Sequence, residues 1–214
     1  MQKVSFQTVD GVEIFANYFQ ADSSKAVLLL HQFASSKEAY SVLANLFFEK
    51  GFGVLAVDLR GHGESTGKGS LSSPERLTPR DFQNMSLDLK AALDFLKSKK
   101  YAEFAIVGAS IGANLAISFP SLHAEFKAAV ALSPGEEYKS LSPMLAARKT
   151  MVPTLLVASR EDGYSYSTCE KLDAVMECEH EFYRLENAGH GTHMFALWPG
   201  LKAKILDWLP GYFS

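Results

Sequence analysis

The chain has 214 residues and a net charge of −3, with 47% apolar and 21% charged residues, values typical of one globular domain. No block of basic residues suggests a nucleic-acid partner, and the longest apolar runs are too short to span a bilayer. We therefore expect a single domain over residues 1–214. The first residues lack the apolar stretch of a signal peptide, which favours a cytoplasmic protein.

Short apolar runs predict strands that are buried on both faces, because such strands lose the alternation of apolar and polar residues. They cover residues 26–30, 53–57, 104–107, 128–132 and 154–158. A hairpin is predicted from 4–9 and 12–19 around Asp10-Gly11, and a last strand at 181–185. Helical patterns separate most of these strands. The sequence therefore predicts an α/β fold with a doubly wound, mostly parallel sheet and helices on both faces.

Two helix starts are marked by capping patterns. Ser35 and Glu38 form a capping box at the first, and Gly51 is placed to end that helix. Thr78 and Pro79 occupy the N-cap and first helical positions of the second. The second helix has one apolar stripe, made of Phe82, Met85, Leu89, Leu93 and Leu96.

The pattern Ser167-x-x-Glu170 predicts the start of a later helix. Both cysteines, Cys169 and Cys178, fall within it. Nine residues along a continuous helix span about 13 Å, whereas a disulfide needs Cα atoms within roughly 7 Å. We expect free thiols with Cys169 buried, unless the helix breaks before Cys178. Pro199 is placed to begin the last helix.

One predicted strand runs directly into Gly108-Ala109-Ser110-Ile111-Gly112, which small residues then continue as a helix. Side chains at Gly108 and Gly112 would collide with the neighbouring strand and helix, so we expect a strained turn that presents the Ser110 hydroxyl. The Ile111 N–H begins the helix and can stabilise a developing oxyanion. This G-x-S-x-G pattern is typical of a nucleophile elbow.

Four more motifs stand where predicted strands end. They are His31-Gln32-Phe33, the run from Asp58 to Ser65 (DLRGHGES), Asp162, and Ala188-Gly189-His190. With the Ser110 turn, they resemble the α/β-hydrolase superfamily over nearly the whole chain, in its Ser, Asp, His order. The resemblance implies an α/β-hydrolase fold and a serine hydrolase. Only residues 134–152 are free to form a cap, so compact esterases and dienelactone-hydrolase-like enzymes are the nearest types.

Ser110 needs a base, because an alcohol is a weak nucleophile near neutral pH. Among the six histidines, His190 follows the last strand between small residues and is the preferred candidate. His193 is its nearest alternative. Of the other four, His31 and His62 are expected to brace turns, and His123 and His180 are expected to lie at the surface.

The acid of such a triad orients the imidazole and stabilises its charged form. Asp162 directly follows a predicted strand and matches the acid loop of the superfamily. Glu161 is its nearest competitor, and Glu136 or Glu137 would be a rarer placement. A purely structural reading of Asp162 is a turn carboxylate paired with Arg160.

The resemblance places the second oxyanion donor at the Phe33 backbone N–H, beside that of Ile111. Gln32 departs from the pattern, since the superfamily most often has glycine there. A side chain at this position would narrow the acyl site or place an amide near it.

Asp58, Arg60 and His62 raise the alternative of a metal site or a second catalytic centre. A structural turn, with Arg60 bridging loops, is the preferred interpretation. The sequence has no metal-ligand spacing and neither a Walker loop nor G-x-G-x-x-G, so we expect no metal and no cofactor.

The sequence therefore predicts a carboxylesterase whose partner is a small-molecule ester, with Ser110, Asp162 and His190 as the triad. A thioesterase or small peptidase could use the same triad. A non-catalytic binding module with the same fold is the third alternative.

Overall fold

The computed structural model describes residues 1–213. Eight strands form one sheet in the order β1-β2-β4-β3-β5-β6-β7-β8. The strands are β1 Gln2–Gln7, β2 Glu13–Phe19, β3 Lys25–Leu30, β4 Gly53–Val57, β5 Glu103–Ala109, β6 Phe126–Leu132, β7 Thr154–Ser159 and β8 His180–Leu185. Strands β3 to β8 run parallel, while β1 and β2 are antiparallel. The predicted doubly wound, mostly parallel α/β fold is confirmed.

Helices cover both faces of the sheet. They are α1 Ser41–Glu49, α2 Pro79–Gln83, α3 Met85–Ser98, α4 Ile111–Ser118, α5 Met144–Ala147, α6 Gly163–Val175, α7 Met194–Leu197 and α8 Gly200–Trp208. α1 and α8 pack on one face, against residues such as Leu29. α3 and α4 pack on the other, against neighbours such as Leu28, and α6 covers the β6–β8 end. Alternate residues of each central strand therefore enter different cores, which explains the continuous apolar runs.

The helix before β4 does not begin as predicted. The prediction of a capping box at Ser35 and Glu38 is wrong, because a 3-10 turn over Lys37–Tyr40 precedes α1 and has no side-chain cap. The Lys37 backbone N–H instead donates to the Asp58 carboxylate at 2.7 Å. A contact between distant segments thus replaces the local cap. Gly51 follows α1 with a φ of 84°, as expected of a residue that ends a helix.

The helix start predicted at Ser167 was also wrong. α6 begins at Gly163, with Asp162 as its N-cap residue, and ends at Val175. Tyr166 lies in its first turn and packs on Phe182 of β8, so tertiary contact orders four residues that the sequence pattern assigned to a loop. Cys178 therefore lies beyond the helix. Both cysteines are buried and free.

The helix predicted from Thr78 is divided in two. Thr78 caps α2 in a capping box with Asp81, and Pro79 is the first helical residue. Asn84 then separates α2 from α3. The predicted apolar stripe is nevertheless buried throughout.

The connection between β6 and β7 contains only the short helix α5 and adds no further layer over the sheet. Strand ends that carry Ser110, Asp162 and His190 therefore meet at one open edge. Across residues 1–213, every helix falls short of the length and apolarity needed to cross a membrane.

Candidate active site

The turn at Ser110 is strained as expected. Ser110 has φ 53° and ψ −113°, a conformation that costs a non-glycine residue roughly 1–3 kcal/mol. A Cβ at Gly108 would lie 1.9 Å from the Gly112 carbonyl oxygen, and one at Gly112 would lie 2.5 Å from that of Leu30. Only glycine lets β5, α4 and β3 approach this closely. The turn leaves Ser110 at the mouth of a cavity.

His190 and Asp162 form a hydrogen-bonded pair. The imidazole Nδ1 lies 2.6 Å from Asp162 Oδ2. Burial opposes ionisation of Asp162, but hydrogen bonds from His190 and Ser165 outweigh it and hold its pKa below the ordinary value. An ionised carboxylate only accepts, so Nδ1 carries the proton and Nε2 is left as an acceptor. That tautomer is the one a general base requires.

The competing carboxylates contact other groups. Glu161 accepts from the backbone N–H groups of Asn187 and Gly189, at 2.8 and 2.6 Å. Glu136 pairs with Lys171. Arg160 pairs with Glu186 at 3.5 Å, so the paired-turn reading of Asp162 does not describe this structure. Of the four candidate carboxylates, Asp162 is the one hydrogen-bonded to His190.

A cavity of about 310 Å³ brings the predicted serine, base and oxyanion residues together. Its walls are Gln32, Phe33, Ser110, Ile111, Tyr138, Lys139 and His190. A larger cleft of about 810 Å³, between Gln20 and Lys100, lies at the opposite edge, where β3 and β5 begin. Short polar side chains and lysines line that cleft, and no histidine does. The smaller cavity is therefore the candidate active site, because it contains the predicted nucleophile and base.

His31 braces the loop that carries Phe33. Its side chain is fully buried, and burial lowers its pKa to about 3, so the ring is neutral. Nδ1 donates to the Gln32 carbonyl oxygen at 2.7 Å, and Nε2 accepts from the Leu59 N–H at 3.0 Å. Both ring nitrogens are thus used to fix the backbone beside Phe33, as expected for a turn-bracing histidine.

The remaining histidines do not line the cavity. His62 is fully buried, and its Nδ1 lies 3.0 Å from the Arg60 carbonyl oxygen. His193 is exposed in a 3-10 turn after His190. The two histidines expected at the surface are partly buried: His123 stacks on Phe119, and His180 contacts backbone carbonyl oxygens.

Asp58 and Arg60 each belong to a buried ion pair, Asp58 with Lys37 and Arg60 with Asp88, and we call these two pairs together the buried ionic cluster. Lys37 Nζ lies 2.5 Å from the Asp58 carboxylate. Arg60 contacts Asp88 on α3 at 2.7 Å and Asp10 in the β1–β2 turn at 2.7 Å. Within residues 1–213 there is no group of side chains suited to hold a metal ion. Arg60 thus bridges loops, as the structural interpretation predicts.

The sequence model of the family described as serine aminopeptidase, S33, matches residues 21–177. The chain belongs to this family of α/β-hydrolases. A serine hydrolase-like protein of Dictyostelium discoideum is 30% identical over 116 residues, which are 54% of this chain and 30% of that protein. The matched segment is therefore less than a third of the length of that relative.

Solved structures agree with this family assignment at the level of the fold. An esterase of Pyrococcus furiosus superposes with a TM-score of 0.79 at 22% identity, over 100% of this chain and 90% of its own. An acetyl xylan esterase of Paenibacillus sp. R4 gives 0.78 at 17%, over 99% and 83%. Est1E of Butyrivibrio proteoclasticus, bound to ferulic acid, gives 0.77 at 16%, over 97% and 99%.

Two lining residues of this hydrolase, Tyr138 and Lys139, were not predicted. They lie in the loop after β6, where Lys139 has a φ of 52° and its Nζ lies 4.9 Å from the centre of the Phe33 ring. The loop is fastened to α4 by Asn114, whose amide bonds to Gly135 in both directions and to the Leu141 carbonyl oxygen. A buried asparagine in an apolar helix was the signal that could have located this loop.

Gln32 also has a role that the sequence did not reveal. Its Oε1 accepts from the Thr192 backbone N–H at 2.8 Å and from the Thr192 hydroxyl at 3.0 Å. The loop that carries Phe33 is thereby joined to the turn that carries His190. Gln32 lies in the wall of the Ser110 cavity, and whether it narrows an acyl site or places an amide near it stays a prediction.

Proposed function

We propose that this hydrolase is a serine carboxylesterase that cleaves small to medium carboxylic esters through an acyl-enzyme on Ser110. The observation that carries the proposal is the hydrogen bond between His190 Nδ1 and Asp162, at a cavity that His190 shares with Ser110. An imidazole whose Nε2 is left as an acceptor, in the wall of the same cavity as a strained serine, is the arrangement expected for activating an alcohol.

In the proposed reaction, Ser110 Oγ attacks the acyl carbon while His190 Nε2 takes its proton. The backbone N–H groups of Phe33 and Ile111 stabilise the oxyanion. The protonated imidazole, stabilised by Asp162, then gives its proton to the leaving alcohol. The same nitrogen then takes a proton from a water that attacks the acyl carbon, and it returns this proton to Ser110 Oγ as the acyl–Oγ bond breaks and the acid leaves.

The lining of the cavity favours esters over the peptides that a serine aminopeptidase cleaves. An aminopeptidase must bind the charged amine at the start of its substrate, which a carboxylate does best. No carboxylate lines the Ser110 cavity in the described part of the chain, and Lys139 is a cation at its wall. An uncharged ester meets no such mismatch. The solved structures with the same fold include several described as esterases.

The test is a substrate panel on purified protein with Ser110→Ala as the matched control. We expect hydrolysis of p-nitrophenyl butyrate, weaker hydrolysis of butyryl thioesters, and little of alanine p-nitroanilide. A fluorophosphonate probe should label the wild type and not the variant. Faster cleavage of the anilide or the thioester would reassign the substrate. Absence of labelling and of turnover would indicate a binding module.

A further inference from the structure

The side-chain amide of Gln32 has a fixed orientation. A backbone N–H can only donate, so the group facing the Thr192 N–H must be the carbonyl oxygen Oε1. The Thr192 hydroxyl, 3.0 Å from the same oxygen, is a second donor. Consequently the amide nitrogen Nε2 points away from Thr192. Within residues 1–213, Nε2 has no protein acceptor, and it is not enclosed in the core.

The surroundings of Gln32 leave it little freedom to turn. Gly191 has a φ of 58°, and a Cβ there would lie 2.2 Å from Gln32 Oε1. The Gln32 amide therefore packs against the turn that carries His190. The Gly191 N–H donates to Ser133 at 2.9 Å, which holds the other side of the turn. The amide is therefore a preorganised donor in the cavity wall.

We propose that Gln32 Nε2 binds an acceptor oxygen in the acyl part of the substrate, so that the enzyme prefers acyl groups carrying an ether, hydroxyl or carbonyl oxygen near the scissile carbonyl. Gln32 directly precedes Phe33, whose N–H is the proposed oxyanion donor, and both residues line the Ser110 cavity. In this proposal the amide therefore faces the acyl part of the substrate. This inference rests on the proposed esterase function and specifies its substrate class.

Two esters of equal size isolate the hydrogen bond. p-Nitrophenyl methoxyacetate and p-nitrophenyl butyrate differ by an oxygen in place of a methylene. Their intrinsic reactivities differ, so the measured quantity is the ratio of kcat/KM for methoxyacetate over butyrate, compared between the wild type and each variant.

Three variants separate donation to substrate from positioning of the base. Gln32→Met removes both functions of the amide. Gln32→Glu keeps an acceptor for Thr192 but has no donor when ionised. Thr192→Val removes one bond to Oε1, retains the backbone donor, and leaves Nε2 untouched.

We expect the ratio to fall about two- to tenfold in Gln32→Met, the range of one neutral hydrogen bond, and to fall likewise in Gln32→Glu. In Thr192→Val both esters should slow equally and the ratio should stay within about twofold, since only the base turn is loosened. A wild-type ratio in a folded Gln32→Glu or Gln32→Met would overturn the inference while leaving the esterase proposal intact. If the wild type cleaves neither ester faster than Ser110→Ala does, the proposed function itself fails.

Discussion

Two groups of charged and polar side chains lie at the same edge of the sheet, and they differ in access. The proposed triad of Ser110, Asp162 and His190 opens to a cavity, with the His190 side chain 36% exposed. The buried ionic cluster of Lys37, Asp58, Arg60 and Asp88 is no more than 1% exposed. Both contain short hydrogen bonds to carboxylates. The comparison favours the proposed triad as the candidate catalytic centre, because His190 has an unused acceptor and lines a cavity, whereas the charges of the buried cluster are all paired and enclosed.

The energetics of the two groups differ in the same way. In the buried cluster, burial raises the pKa of Asp88 to about 6, while the Arg60 guanidinium opposes the rise. Each charge there depends on its partner, because an unpaired buried charge is strongly destabilising. In the triad, burial of Asp162 is incomplete and its ionised form is the stable one. We therefore expect variants of the triad to alter rate, and variants of the cluster to alter stability.

The largest effect should come from Ser110→Ala or His190→Ala. Each should reduce kcat by about 10⁴- to 10⁶-fold, and the double variant should be scarcely worse, because triad members act as a unit. His193→Ala is the matched control and should retain activity. The measurements are steady-state kinetics on p-nitrophenyl butyrate, with circular dichroism for folding. A dead His193→Ala beside an active His190→Ala would reassign the base.

Asp162→Asn should rank second. The amide keeps the size of the carboxylate but can present an N–H to the imidazole and favour the wrong tautomer, with a loss that can approach about 10⁴-fold in kcat. Thermal melting should change little. The matched control is Glu136→Gln, whose carboxylate pairs with Lys171. A loss in Glu136→Gln instead of Asp162→Asn would move the acid to the loop after β6.

Arg60→Met should show the opposite pattern. Removing the guanidinium leaves Asp88 buried without its cation, which typically costs about 3–5 kcal/mol. Urea denaturation should record the loss, whereas kcat per folded molecule should stay near the wild-type value because Arg60 does not line the cavity. A folded, fully stable Arg60→Met with impaired kcat would give this cluster a catalytic role.

The sequence predicted those parts of the fold and site that depend on local chemistry. The strands followed from apolar runs, and the strained turn at Ser110 followed from two glycines that cannot hold side chains. Asp162 and His190 were predicted from their places after strands together with the resemblance to the α/β-hydrolase superfamily, and the structure brings their side chains into contact. Their catalytic roles remain predictions that the variants above test.

The features that the sequence did not reveal depend on contacts between distant segments. The start of α1 is set by Asp58, 21 residues beyond Lys37, so a local capping pattern misled. Gln32 and Thr192 are 160 residues apart, and no sequence pattern around either residue predicts their hydrogen bond. Glu161 was predicted only as the nearest competitor of Asp162, because its contacts with Asn187 and Gly189 form only when β7 and β8 pair.

The smallest effect, and the sharpest test of adjacent carboxylates, is Glu161→Gln. Slight burial opposes ionisation of Glu161, but the Ser159 hydroxyl and the N–H groups of Gly189 and Asn187 lower its pKa to about 2. Glu161 thereby anchors the loop before His190 without touching the imidazole. Glutamine retains one acceptor oxygen, so we expect kcat to fall less than about tenfold, as for loss of one or two modest hydrogen bonds.

The pH dependence of stability gives this variant a second readout. Because the folded-state pKa of Glu161 lies below its ordinary value of 4.5, its ionised form adds stability above about pH 4.5 that is lost as pH falls towards 2. The difference in unfolding free energy between wild type and Glu161→Gln should therefore be constant above about pH 5 and should become smaller as the pH falls below that value. Glu186→Gln is the matched control, since Glu186 is 72% exposed and its pairing with Arg160 is long; it should show neither effect. A crippled Glu161→Gln with an active Asp162→Asn would reverse the assignment of the acid, because two adjacent residues at the start of α6 cannot both face one imidazole.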